Sequence, residues 1–249
     1  MAHKTYIRDV NDGNSVVLFI HGFLGSTEQF GEFILNLPDE YGVYNILLDG
    51  HGKTVRDFAH TSMEKWKKQI DEIMQKLVKK YKNIIIVGHS MGTFFAMDSA
   101  LKYKENVKGI FLLQSPLKIG VKPTAFLNTF KSLFNLISDD DYIGKAYKKS
   151  HSVKLTLRFW EYIGWLPRYL ELFRESVVAR ETIDKVEVPC SVYQSARDEL
   201  VSLKSLNYIP EKDNIKLKLL DKSRHFIYEK NEKDMLIKEF MEFCEENTN

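Results

Sequence analysis

The sequence predicts an α/β chain in which a mainly parallel central sheet carries helices on both faces and a helical segment is inserted late in the chain. Three observations predict it. The apolar runs Ser15-Val16-Val17-Leu18-Phe19-Ile20, Asn83-Ile84-Ile85-Ile86-Val87 and Val107-Lys108-Gly109-Ile110-Phe111-Leu112-Leu113 are too short for buried helices and read as strands covered on both faces. Helix-patterned stretches alternate with them, which implies parallel pairing through right-handed crossovers. Between residues 121 and 180 the alternation stops. A chain of 249 residues suits one large domain with an insertion, giving a core of residues 1–120 and 181–249 and a helical cap, or lid, of residues 121–180.

The first strand runs into His21-Gly22-Phe23-Leu24-Gly25, a glycine-punctuated loop at the strand's C-terminal end, where open parallel sheets bind ligands. A helix is expected over 28–37, ending before Pro38, and a strand over 44–48. Asp49-Gly50-His51-Gly52 then makes a polar turn in which Asp49 and His51 take structural roles. Thr61-x-x-Glu64 has the form of a capping box, and Trp66, Ile70, Ile73, Met74, Leu77, Val78 and Tyr81 follow on one helical face with lysines opposite. The run 83–87 leads into Gly88-His89-Ser90-Met91-Gly92 and a helix over 93–102.

After the strand at 107–113, the insertion reads as several helices broken at Asp139-Asp140-Asp141, Gly144, Gly164 and Pro167. Eleven of its 60 residues are aromatic against 12% for the chain, which suits a lid over an apolar pocket, although most rings are expected to pack among themselves. The strand pattern resumes at 189–195 and is followed by Ala196-Arg197-Asp198-Glu199. Residues 215–220 alternate like a strand near the sheet edge and precede Asp221-Lys222-Ser223-Arg224-His225. The last helix, over 232–246, packs through Met235, Leu236, Phe240 and Phe243.

Thirty-six Lys and Arg against 34 Asp and Glu leave a net charge of +2, which gives no reason to expect nucleic acid or an acidic partner. No apolar run approaches the ~18 residues of a spanning helix, and the first nine residues lack the apolar stretch of a secretory signal, so a cytoplasmic protein without stable membrane insertion is expected. Cys190 and Cys244 have neither metal-ligand nor disulfide spacing and are expected to be buried thiols; no metal site is expected. Nothing in the sequence sets the oligomeric state.

Strand, tight turn, helix is the setting of a nucleophile elbow, in which a strained turn lifts a serine hydroxyl above the sheet between two glycines. A serine hydroxyl attacks at neutral pH only when a base takes its proton, and that base needs a carboxylate to hold its tautomer. Ser90, Asp198 and His225 stand in the Ser, Asp, His order of elbow hydrolases, each after an expected strand and so on one edge of the sheet. Asp221 lies too close to His225 in the chain, and Asp184 comes before its strand, so both rank below Asp198. The backbone N–H groups of Phe23 and Met91 are the expected oxyanion donors.

These segments, with His60-Thr61 and Trp66, resemble the α/β-hydrolase superfamily, and within it the bacterial carboxylesterases and monoacylglycerol lipases, from about residue 14 to 246. The resemblance implies an α/β-hydrolase fold and a serine esterase that cleaves short to medium acyl esters through an acyl-enzyme. Ser90 would be its nucleophile, His225 its base and Asp198 the partner acid, with no cofactor. A small-molecule ester with an apolar acyl group would be the ligand, and His21, Gly22, His89, Phe126, Phe130 and Trp160 are the expected substrate contacts. A thioesterase or C–C bond hydrolase on the same triad, or a non-catalytic binding module, stays open. The chain departs from the family at Arg224, where glycine commonly precedes the histidine. Either the turn differs there, or the arginine meets a substrate carboxylate.

Overall fold

The computed structural model describes residues 3–10, 14–125, 127, 131, 136–138 and 140–248. Seven strands form one sheet: β1 (Tyr6–Arg8), β2 (Ser15–Ile20), β3 (Gly42–Ile46), β4 (Asn83–His89), β5 (Val107–Leu113), β6 (Cys190–Ser195) and β7 (Ile215–Leu220). Their order across the sheet is β1-β3-β2-β4-β5-β6-β7, with β1 antiparallel to β3 and every other pair parallel. All strands from β2 to β7 therefore end on one edge. That edge carries the loops after residues 20, 89, 195 and 220.

The α-helices with both ends among the described residues are α1 (Gly31–Asn36), α2 (Val55–Ala59), α3 (Met63–Lys80), α4 (Gly92–Lys102), α5 (Tyr142–Ser150), α6 (Leu166–Asp184) and α7 (Lys230–Thr248). Side chains alternate across a strand, so β4 feeds a core on each face of the sheet. Ile84 and Ile86 join the core formed with Trp66, Ile70 and Met74 of α3 and Phe94 of α4. Ile85 and Val87 point the other way, into the core formed with Phe33 of α1 and Phe240 and Phe243 of α7. Both faces of the central strands are covered, as their uninterrupted apolar runs require.

Several local expectations move by a residue or more. The helix expected over 28–37 opens as a 3-10 turn, Thr27–Phe30, capped by Ser26 Oγ accepting from Glu28 N, before α1 proper. β3 begins two residues before the expected 44. The cap of α3 is Ser62, whose Oγ accepts from Lys65 N at 3.1 Å, and not Thr61, whose buried hydroxyl has no partner among the described residues. A reciprocal capping box does form one helix earlier, between Thr54 and Asp57. Gly144 lies inside α5, and Pro167 sits in the first turn of α6, where the N–H it lacks has no helical partner anyway. α6 runs on to Asp184, past the expected end of the insertion. β7 is the sheet edge, and only its end residues Ile215 and Leu220 are buried, the four between them being exposed. β1 is absent from the expectations; with three residues, Tyr6 and Ile7 exposed and Arg8 half-buried, it is too short to show a strand period.

Candidate active site

Ser90 stands directly after β4 and before α4 with φ +54°, in the left-handed region that a non-glycine residue enters at a cost of about 1–3 kcal/mol. The turn is held on several sides. Ser90 N donates to Leu113 O at 2.8 Å, and Ser90 O accepts from Thr93 N at 2.9 Å and from Thr93 Oγ1 at 2.7 Å. Gly92 permits α4 to meet β2, since a Cβ there would lie 2.0 Å from Ile20 O. The result is a half-buried serine at the top of the sheet.

Across from it runs the loop after β2. A Cβ on Gly22 would lie 2.7 Å from Ser90 Cβ and 3.2 Å from Ser90 Oγ, so this backbone approaches the hydroxyl as closely as a bare glycine allows. Gly25 N donates to Gly22 O at 2.9 Å, and Leu24 turns with φ +56°. His21 pins the loop to the next strand: its Nε2 accepts from Leu48 N at 3.0 Å and its Nδ1 donates to Gly22 O at 2.9 Å. Both ring nitrogens are occupied by backbone and the residue is wholly buried, so His21 holds the loop and has no nitrogen left for a substrate. The Phe23 ring packs 5.0 Å from Phe58 and 5.0 Å from Tyr169 of α6. Among the described residues, no hydrogen bond uses the N–H of Phe23 or of Met91.

His225 and Asp198 are joined. His225 Nδ1 donates to Asp198 Oδ2 at 2.8 Å, and both residues are 1% exposed. The other carboxylate oxygen, Oδ1, accepts from Leu200 N at 2.7 Å and Val201 N at 2.8 Å. With Nδ1 donating, the lone pair of the imidazole is on Nε2. His89 connects this pair to the elbow: its ring lies 4.9 Å from that of His225, its Nε2 donates to His225 O at 2.9 Å, and Ser90 is the next residue in the chain. Ser90 Oγ makes no hydrogen bond to His225, a contact that unliganded sites often lack and form only with substrate bound. The rival acids are elsewhere: Asp184 pairs with Lys212 at 3.6 Å and Asp221 is exposed.

A cavity of about 420 Å³ adjoins His225 and His89; Phe30, Leu113, Phe226 and Ile227 wall it together with the charged Glu28, Glu32, Lys149 and Lys233, and its described lining includes neither Ser90 nor the loop 21–25. The Nδ1 of His89 and both amide atoms of Gln29, another of its lining residues, are buried without partners among the described residues. Of the aromatic contacts expected from the insertion, Trp160 is 54% exposed and its ring partner is Phe159 at 5.3 Å. Phe126 and Phe130 lie outside the described residues. Gln114 went unnoticed in the sequence: it directly follows β5 with φ +53°, and its amide holds Ser195, accepting from Ser195 N and donating to Ser195 Oγ, both at 2.7 Å. A polar residue directly after a buried strand was the available signal.

Burial keeps four histidines uncharged. It holds His21, beside His51, and His89, beside His225, well below the ordinary imidazole range, lowers His151, and pushes His51 down to about 4. In the unfolded chain these imidazoles take up protons near pH 6.5, so below that pH the unfolded state binds more protons than the folded one. The stability is complete above pH 6.5 and drains away as pH falls toward the folded values, by about 3 kcal/mol from His51 alone by pH 4. Thermal midpoints recorded between pH 7.5 and 4.5 are expected to fall steadily below 6.5. A flat profile over that range contradicts the buried neutral assignment.

The arrangement places a serine hydroxyl, a carboxylate-bound histidine and two backbone N–H groups without a hydrogen bond among the described residues on one sheet edge. The chain is 24% identical over 239 residues to a carboxylesterase of Bacillus subtilis (strain 168), covering 94% of this chain and 93% of the relative. Among solved structures it superposes on one from a study of the metagenome-derived lipolytic enzymes LipS and LipT with a TM-score of 0.74 at 20% identity, covering 98% of each chain. It superposes on a monoacylglycerol lipase of Paleococcus ferrophilus with a TM-score of 0.69 at 17% identity, covering 99% of this chain and 100% of the other. At such identities the structures speak for the fold. Residues 12–158, more than half of the chain, match the family model Hydrolase_4, described as serine aminopeptidase, S33, and the chain belongs to that family within the α/β-hydrolase superfamily.

Proposed function

We propose that the protein is a serine hydrolase that cleaves carboxylic esters of short to medium acyl chains, monoacylglycerols among them, through an acyl-enzyme on Ser90. Ser90 Oγ attacks the ester carbonyl while His225 Nε2 takes the hydroxyl proton, and the Phe23 and Met91 N–H groups receive the charge that develops on the carbonyl oxygen. His225 then gives the proton to the departing alcohol as the carbon–oxygen bond breaks. A water deprotonated by the same imidazole releases the acid. Asp198 holds the imidazole with its lone pair toward the elbow.

The observation that carries this reading is the buried Asp198–His225 hydrogen bond beside a serine at φ +54°. Two further features support it. The cavity next to His225, at the small end of ligand pockets, offers the apolar walls of Phe30, Leu113, Phe226 and Ile227 between the charged Glu28, Glu32, Lys149 and Lys233. The carboxylesterase of B. subtilis matches along nearly the whole chain. In this reading residues 121–180 form a cap over the site. Leu24 O accepting from Ser152 N at 3.0 Å and the packing of Tyr169 on Phe23 support that role.

The test is turnover of p-nitrophenyl esters from acetate to decanoate, with acyl thioesters and amino-acid p-nitroanilides alongside. Wild type is expected to prefer the esters, with a maximum at or below eight carbons, and Ser90→Ala is expected to lose at least about 10⁴-fold. Retention of most activity by Ser90→Ala, or a preference for the anilides, rejects the proposal.

A further inference from the structure

The residue that breaks the family pattern, Arg224, is not strained and does not face an open site. Its φ is not positive; among the described residues only Leu24, Ser90 and Gln114 combine a side chain with positive φ. Its N donates to Ile227 O at 2.8 Å, and its O accepts from Ser195 Oγ at 3.2 Å. Its guanidinium is engaged by the carboxylate of Glu199, which is 1% exposed and immediately follows Asp198. The second oxygen of Glu199 is 3.5 Å from the N–H of His225, which points to it.

Two adjacent strands, β6 and β7, thus deliver two loops, and consecutive residues cross-link them twice. Asp198 bonds the ring of His225, and Glu199 bonds Arg224 and faces the main chain of His225. The main chain adds Arg197 N to Ser223 O at 3.3 Å. A buried carboxylate without a partner is heavily penalised, so Glu199 requires a cation that the usual glycine could not supply. The charge balance matters to the imidazole as well. Glu199 alone would place a second negative charge beside the base, and Arg224 alone a positive one; together they cancel.

Resting on the triad proposed for catalysis, we propose that Glu199 and Arg224 are positioning residues: an ion-paired clamp that fixes the His225 loop on the Asp198 loop and keeps the local charge beside the imidazole balanced. The other groups facing His225 are Asp198 on its Nδ1, His89 from the end of β4 and His151 after α5, the two histidines uncharged, and, around the cavity it lines, Tyr228, Glu28, Glu32, Lys149 and Lys233, none of which the variants alter. The acid limb of the kcat/KM profile reports the base losing its proton. In Arg224→Gln the unbalanced carboxylate favours the imidazolium, so the limb moves to higher pH. In Glu199→Gln the unbalanced guanidinium opposes it, so the limb moves to lower pH. Each shift is expected to be about 0.5–1 pH unit.

The double variant Glu199→Gln with Arg224→Gln is expected to return the limb to its wild-type position, and Arg224→Lys to leave it there, with KM within about threefold throughout. If Arg224→Gln does not fold, Glu199→Gln compared with the double variant carries the same sign test, since neither leaves a carboxylate buried unpaired. The His225 ring titration followed by NMR in a Ser90→Ala background reads the same shifts without turnover. An absence of esterase activity in the wild type therefore rejects the functional reading without touching this one. Shifts in the same direction in both single variants, or no shift in either, overturn the clamp.

Discussion

Asp198→Asn is expected to lower kcat/KM for a p-nitrophenyl ester by about 10⁴-fold with little change in fold. The reason lies in how the two carboxylate oxygens are used. Oδ1 accepts two backbone N–H groups, from Leu200 and Val201, and Oδ2 accepts the ring N–H of His225. An asparagine has one oxygen, and the two backbone donors claim it. Its NH₂ then faces His225 Nδ1, which must turn acceptor and move the ring proton to Nε2. The nitrogen needed as base carries a proton instead. The geometry survives and the chemistry does not, so circular dichroism and thermal midpoint are expected to stay near wild type. A loss below tenfold would mean that Asp198 does not govern the tautomer.

Trp66→Ala is expected to cost about 3–5 kcal/mol of stability, a fall in thermal midpoint of about 6–20 °C for a chain of this size. Trp66 is fully buried on α3. Its ring meets Phe58 at 5.7 Å, His51 at 5.5 Å and Phe23 at 6.1 Å, and its Nε1 donates to Asp49 O at 2.8 Å. Removing it opens a cavity beneath the loop that faces Ser90 and takes from the Asp49 carbonyl the shorter of its two hydrogen bonds, leaving the one from His51 Nδ1 at 3.2 Å. Activity at 25 °C is expected to fall along with stability, because Phe23 loses a wall. A midpoint within 2 °C of wild type would show that the loop is held by other contacts, with the His21 hydrogen bonds the first to test.

The central strands and the elbow were legible because burial on both faces forces an uninterrupted apolar run. Val107–Leu113 and Ile215–Leu220 fall where the hydrophobic pattern puts them. The pairing of Asp198 with His225 followed from chain order and strand ends, since parallel strands deliver their following loops to one edge. Punctuation residues misled where the surroundings overrode them. Gly144 stays helical because Asp141 caps that turn, its Oδ1 accepting from Gly144 N at 2.8 Å, whereas the break expected at Pro167 falls where the 3-10 helix Phe159–Trp165 gives way to α6, with Pro167 in its first turn. His21 looked like a substrate contact because it stands in the glycine loop, yet the Leu48 N–H that occupies it comes from a segment 27 residues away. Arg224 was ambiguous for the same reason. Its partner Glu199 is a neighbour across β6 and β7, 25 positions back along the chain, and no local pattern shows that contact.

The central claim is that Ser90 is a nucleophile activated by His225. Its most direct measurement is the site and rate of modification by a fluorophosphonate, read by mass spectrometry of the digested protein. One stoichiometric adduct on Ser90 is predicted, formed rapidly in the wild type and slowed by at least about 10³-fold in His225→Ala. An adduct on another residue, or labelling of Ser90 at the same rate without the imidazole, would contradict it.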